Sequence, residues 1–235
     1  MLIIGGGATG VGIARDLSLR GIPSLLIERG DFTSGASGRN HGLLHSGGRY
    51  AVSDPEAAKE CIVENRILKR IAPHCVEETG GLFISLPDDG LEFRVLFLQS
   101  CKKVDIPATL LSREEALNLE PKLHPHLLSA VEVPDGSVDS FSIVVENARD
   151  AERHGTRFLL HTEVTSLQVD QGKVRQVAAK DLLQGEEYSI EANYFINATG
   201  AWANQILNLA GLRLDMALSK GSMLITNERV TQRVI

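Results

Sequence analysis

Apolar positions along the chain come in short runs whose period changes from two to about 3.6, and this alternation predicts an α/β fold. Leu2-Ile3-Ile4 reads as a short buried strand that runs straight into glycines. Residues 9–20 place Val11, Ile13, Ala14 and Leu17 on one side of a helix, with Gly21 past its end. Residues 24–28 form a second apolar strand and complete a βαβ start. Residues 30–50 then lose all periodicity and carry glycines at 30, 35, 38, 42, 47 and 48, the mark of a functional loop. A helix is predicted over 55–72: Asp54 caps it, Pro55 suits its first turn, and Ala58, Cys61, Ile62, Leu68 and Ile71 line one face.

Further on, the pattern predicts a strand at 80–86, a helix at 91–103 and a short helix opened by Ser112-Arg113-Glu114-Glu115, which has capping-box spacing. A strand at 128–133 and an amphipathic helix at 141–154, closed by Gly155, follow. Residues 157–197 alternate in strand fashion, with turns at Asp170-Gln171-Gly172 and Gln184-Gly185, and end in a buried strand at 194–197. A last strand around 216–226 is expected to pair, in a complete protein, with strands that this chain lacks, which leaves an exposed edge.

The composition is that of an ordinary globular chain, with 43% hydrophobic and 23% charged residues. A net charge of −6, with no run of more than two Lys or Arg, excludes a nucleic-acid surface. Short apolar runs exclude direct insertion in a bilayer, and the opening residues lack the pattern of a cleaved leader. Three widely spaced cysteines without a C-x-x-C read as reduced thiols of a cytoplasmic protein.

The sharpest chemical signal is Gly5-Gly6-Gly7-Ala8-Thr9-Gly10, set between a strand and a helix. Gly5 permits the tight turn, Gly7 lets the backbone approach a pyrophosphate, and Gly10 lets helix and strand pack closely. The helix N-terminus offers N–H groups and partial positive charge to phosphates. Glu28 ends the second strand 18 residues after Gly10, placed to accept hydrogen bonds from a ribose. Two adjacent residues, Arg49 and Tyr50, pair a planar guanidinium fork with an O–H donor and are the candidates for recognising a substrate phosphate. His45 is either a base that takes a hydroxyl proton or a structural residue of the loop. His41 and His45 are four apart in a segment too rich in glycine to be a helix, so no metal site is expected.

The stretches from Gly38 to Val52, Pro134 to Asp139, Asn197 to Trp202 and Lys220 to Ile225 give the chain a wider likeness. It resembles the D-amino-acid-oxidase-like group of FAD proteins. Within that group it is similar to FAD-dependent glycerol-3-phosphate dehydrogenases, specifically the large subunits of the anaerobic, quinone-linked enzymes. The resemblance implies a Rossmann-like, three-layer FAD-binding domain from residues 1–79 and 141–210, interleaved with an antiparallel substrate domain from 80–140 and 211–235. It implies that Gly5, Gly7, Ala8, Thr9 and Gly10 line the FAD pyrophosphate and that Glu28 holds the adenosine ribose. Ser37, Arg39, Asn40 and Gly42 would wrap the phosphates and ring, Val164 would lend backbone to the adenine, and Ala198 and Gly200 would approach from the other side.

The implied reaction is oxidation of glycerol-3-phosphate to dihydroxyacetone phosphate, with His45, Arg49 and Tyr50 at the substrate. Electrons would pass to a quinone through partner subunits on the inner face of a membrane. The resembled subunits begin a few residues earlier and run well past Ile235, so the expectation is a truncated chain that does not turn over substrate unaided. Two alternatives stay open: a flavoenzyme of 2-hydroxy acids such as 2-hydroxyglutarate, whose loop pattern is similar, and a non-catalytic fragment that binds a partner subunit.

Overall fold

Leu2–Ile4 form strand β1, Ala8–Leu19 form helix α1 and Leu25–Ile27 form strand β2 in the computed structural model, which describes residues 1–235. The chain then crosses into a second region through β3 (Leu43–Leu44), α2 (Pro55–Ile71), β4 (Val76–Glu77), β5 (Gly81–Ser85) and α3 (Leu91–Lys103). There it continues through β6 (Thr109–Ser112), α4 (Arg113–Leu119), β7 (Ser129–Val133) and β8 (Gly136–Val138). It returns with α5 (Ser140–Arg153), β9 (Arg157–Leu159), β10 (Thr162–Asp170), β11 (Lys173–Asp181), β12 (Glu187–Glu191), β13 (Phe195–Asn197) and α6 (Ala203–Leu209). Two units result, Met1–Asn40 with Ser140–Ser222, and His41–Asp139 with Met223–Ile235.

In the first unit a parallel sheet runs in the order β13-β1-β2-β9. Successive side chains of a strand point to opposite faces, so β1 feeds two cores. Ile3 and Leu26 turn to Val11 and Ala14 of α1 and to Val144, Ala148 and Ala151 of α5. Leu2, Ile4 and Ile27 turn the other way, to Val164, Val177 and Ala179 of the antiparallel meander β10-β11-β12. Helices, parallel sheet and meander are the three layers expected from the sequence.

The second unit is built on antiparallel sheets, β5-β7-β6 and β3-β8-β4. Here too alternation splits the core. Val131 and Val133 face Ala58 and Ile62 of α2 and Phe97 and Cys101 of α3, whereas Ala130 and Leu82 face Leu111, Ala116, Leu123 and Leu127. The contact of Ala58 and Ile62 with this core is why residues 41–79 cluster with 80–139. The capping box forms: Ser112 Oγ accepts from Glu115 N–H at 3.2 Å, and Glu115 Oε2 accepts from Ser112 N–H at 2.7 Å. That reciprocal bond holds the Glu115 carboxyl below its ordinary pKa.

One expectation needs correction, the apolar face of α2, and one strand expected only in a complete protein is not formed: residues 212–226 hold no regular element, and Leu224 and Ile225 are 97% and 93% exposed. A strand exists through paired hydrogen bonds, and these residues find no neighbour to pair with. On α2, Ile71 is 48% exposed and Asn65, a polar residue, takes a buried position on the inner face at 1%. No helix is long and apolar enough to cross a membrane. No disulfide joins the cysteines, and burial, helped by the charge of Asp135, pushes the Cys101 thiol up to about 11.

Candidate functional site

The turn after β1 is shaped by close approach. Gly5 sits at φ +117°, and a Cβ there would lie 2.5 Å from the Ala198 carbonyl oxygen. At Gly10 a Cβ would come within 1.9 Å of the Gly5 carbonyl oxygen, so the first turn of α1 can lie against the end of β1 only if that residue has no side chain. Helix α1 starts at Gly7 with no side-chain cap and no acidic residue in its first turn. Its positive end is therefore uncompensated by the helix itself. Ser37 supplies one acceptor, its hydroxyl oxygen taking the Ala8 N–H at 2.9 Å.

Glu28 is the organising carboxylate. Its Oε2 accepts from Gly6 N–H and its Oε1 from Gly30 N–H, both at 2.7 Å, and the Ser34 hydroxyl donates to Oε1 at 3.2 Å. A carboxylate has about four lone-pair positions, so acceptor capacity remains for a ribose hydroxyl. The close seat also explains Gly6, to which local spacing assigns no role: a Cβ there would meet Glu28 Cγ at 2.8 Å.

These groups open on one cleft of about 700 Å³ in the first unit, within the range of cofactor sites. Of the residues expected at the cofactor, Gly5, Gly7, Ala8, Thr9, Glu28, Ser37, Val164, Ala198 and Gly200 line it. Gly10 does not, because its part is packing. Arg39 and Asn40 act one step back: Arg39 donates to the Ser34 and Gly35 carbonyls, and Asn40 Nδ2 donates to the Ser37 carbonyl at 2.6 Å. Gly42 belongs to the second unit, where at φ +65° its carbonyl accepts from Val138 N–H at 2.7 Å.

The cleft also takes in Arg29, Thr199 and Trp202, which sequence reasoning did not assign. Trp202 packs beside Gly35, where a Cβ would meet its ring at 3.0 Å and glycine is the residue that admits so near an aromatic. Backbone amides at a helix N-terminus, a carboxylate with spare lone pairs and a half-apolar wall suit a diphosphate, a ribose and a flat ring system.

In the second unit, His45, Arg49 and Tyr50 lie on one braced segment. Gly47, at φ +94°, packs so near α2 that a Cβ would stand 2.3 Å from the Ala58 carbonyl oxygen, and Gly48–Tyr50 then make a single 3-10 turn. Arg49 is exposed and enters no ion pair, while Tyr50 packs on the core. The His45 ring lies 5.7 Å from that of His41 and 6.1 Å from that of Tyr50. Burial lowers the His45 pKa, the charge of Asp135 opposes the shift, and His41 and Arg49 reinforce it. The balance favours a neutral imidazole, the form that accepts a proton. A smaller cleft in this unit, about 380 Å³ and lined by Lys69 and Arg233, has both cations paired already, with Glu78 and Glu132.

The family model described as FAD dependent oxidoreductase matches residues 1–234. The chain belongs to that family. It is 49% identical over 235 residues to an anaerobic glycerol-3-phosphate dehydrogenase subunit of Escherichia coli (strain K12), covering 100% of this chain and 43% of that protein. The corresponding subunit of Haloferax volcanii is also 49% identical, with 100% of this chain and 42% of the relative covered. Among solved structures, the glycerol-3-phosphate dehydrogenase of Bacillus halodurans complexed with FAD superposes with a TM-score of 0.63 at 30% identity, over 86% of this chain and 34% of that one. The chain thus spans less than half the length of the curated relatives it matches.

Proposed function

We propose that this chain is the FAD-binding part of a glycerol-3-phosphate dehydrogenase that converts sn-glycerol-3-phosphate to dihydroxyacetone phosphate. The observation that carries the reading is the 49% identity, sustained over all 235 residues, to anaerobic glycerol-3-phosphate dehydrogenase subunits of two organisms. FAD, when bound, supplies an acceptor for the hydride that leaves the secondary alcohol carbon. The chain's own residues do the rest. Backbone amides of the Gly5–Gly10 turn and the Ser37 hydroxyl hold the pyrophosphate, Glu28 holds the ribose, and Val164, Ala198 and Gly200 flank the cofactor. Arg49 and Tyr50 bind the substrate phosphate. His45, neutral at working pH, takes the hydroxyl proton as the hydride departs.

In this reading the electrons leave through further subunits to a membrane quinone, and the protein works on the cytoplasmic side of that membrane. The relatives are named as subunits, which supports partners of this kind. The exposed Arg49, which enters no ion pair, suits an anionic group of the substrate, and the identity to glycerol-3-phosphate dehydrogenase subunits supports phosphate over the carboxylate of a 2-hydroxy acid. Steady-state assays of the flavin-loaded enzyme with a dye acceptor test this. Glycerol-3-phosphate should be oxidised with a kcat/KM at least about 100-fold above that for glycerol, the size expected of one or two charge-assisted hydrogen bonds. Turnover of 2-hydroxyglutarate in preference to glycerol-3-phosphate overturns the assignment.

A further inference from the structure

Both peptide planes that flank His45 are held by polar side chains buried beneath them. The Leu44 carbonyl, from the plane that precedes His45, accepts from Asn65 Nδ2 at 3.3 Å. In the plane that follows, the His45 carbonyl accepts from the same Nδ2 at 3.3 Å, and the Ser46 N–H donates to Asp135 Oδ1 at 2.6 Å. The same Nδ2 lies 3.2 Å from the Pro134 carbonyl, so its two hydrogens are shared among three acceptors and the turn carrying Asp135 is tied to the same amide. Asn65 is 1% and Asp135 5% exposed. Buried polar groups cost stability unless paired, and these two are paired with the backbone on either side of one residue. Gly81 completes the seat, since a Cβ there would lie 2.9 Å from Asp135 Oδ2.

We propose that Asn65 and Asp135 are positioning residues that fix the backbone torsions of His45, and so aim its imidazole at the substrate hydroxyl. The inference rests on the reading of His45 as the proton acceptor. Fixing the planes on both sides of a Cα fixes the direction of its Cα–Cβ bond. Asp135 has a second effect, because its negative charge stabilises the protonated imidazole. The groups that face His45 are Asp135 from the turn before β8 and His41, Arg49 and Tyr50 from its own segment; α2 contributes the uncharged Asn65 amide.

The test uses two near-isosteric variants of the flavin-loaded enzyme and one measurement on the unmutated protein. Asp135→Asn can still accept from Ser46 N–H but carries no charge. Its kcat/KM should rise with pH at a midpoint lower than that of the unmutated enzyme by on the order of half a pH unit. Asn65→Leu keeps the size of the side chain and leaves the three carbonyls without a donor. Its kcat should fall about 100-fold, the cost of a misplaced catalytic group, while KM changes less than about threefold and flavin content stays the same. An unmoved midpoint in the first variant or an unchanged kcat in the second overturns the proposal. Should a variant fail to fold, hydrogen exchange at the Ser46 amide of the unmutated enzyme decides: strong protection supports the pinning, and exchange as fast as an exposed loop overturns it. If the unmutated enzyme leaves its flavin oxidised with glycerol-3-phosphate, the substrate reading fails, and the exchange measurement still settles whether His45 is held.

Discussion

Replacing Glu28 with Gln preserves the size of the side chain and changes what its two terminal atoms can accept. In the native turn one oxygen takes the Gly6 N–H and the other the Gly30 N–H, each at 2.7 Å. Gln has one carbonyl oxygen and an amide that only donates, so in either orientation one backbone N–H faces a second donor. A hydrogen bond to a charged group contributes about 1.5–3 kcal/mol, and a donor left unsatisfied costs about as much. Loss of one such bond from the turn proposed to seat the diphosphate predicts FAD binding weaker by about 10- to 150-fold. Titration of the apoprotein with FAD, followed by flavin fluorescence, measures this, and a thermal melt of the apoprotein separates weaker binding from failure to fold. A dissociation constant for Glu28→Gln within about twofold of the unmutated value, in a folded protein, refutes the reasoning that Glu28 organises the site.

Three further outcomes follow from the same geometry. Gly10→Ala should be purified without flavin, because its Cβ would lie 1.9 Å from the Gly5 carbonyl oxygen, whereas Gly12→Ala, with nothing within 4 Å, should keep its flavin and gain about 0.5–1 kcal/mol of helix stability; visible absorbance and thermal melts check both. Arg49→Leu should raise KM for glycerol-3-phosphate by about 10- to 150-fold, and KM for an unphosphorylated alcohol should stay put, since only the first loses a charge-assisted hydrogen bond. Because burial lowers the pKa of His45 from 6.5, its proton-accepting form persists to lower pH than in a free imidazole, so kcat/KM should rise with pH at a midpoint below 6.5 and not above it.

The βαβ start of the first unit was readable because β1 and β2 are short apolar runs on either side of the helical period of α1. The three layers came from the family resemblance, and the two faces, Ile3 and Leu26 against Leu2 and Ile27, only from the structure. The glycine turn and Glu28 were readable for a related reason, as a tight turn, a helix start and a strand end are local events at fixed spacing. What periodicity could not deliver was anything decided by a distant partner. Asn65 looks like a polar break in the apolar face of α2, and only the carbonyls of Leu44, His45 and Pro134, brought from elsewhere in the chain, make it a buried residue. Ile71 fails the other way, apolar by pattern and half exposed for want of a neighbour. Residues 216–226, expected as a strand only in a complete protein, find no pairing edge. In the candidate site, Gly6 and Trp202 escaped notice because their parts depend on the closeness of Glu28 and Gly35, which the sequence separates by 22 and 167 positions.

The proposed reaction passes hydride from glycerol-3-phosphate to a flavin held at the start of α1. Anaerobic mixing of the flavin-loaded enzyme with glycerol-3-phosphate, with the oxidised flavin absorbance followed in a stopped-flow cell, addresses it directly. Bleaching in a single turnover is expected, with dihydroxyacetone phosphate formed in equal amount to the flavin reduced. Absorbance that stays constant with glycerol-3-phosphate and bleaches with another alcohol or a 2-hydroxy acid would contradict it.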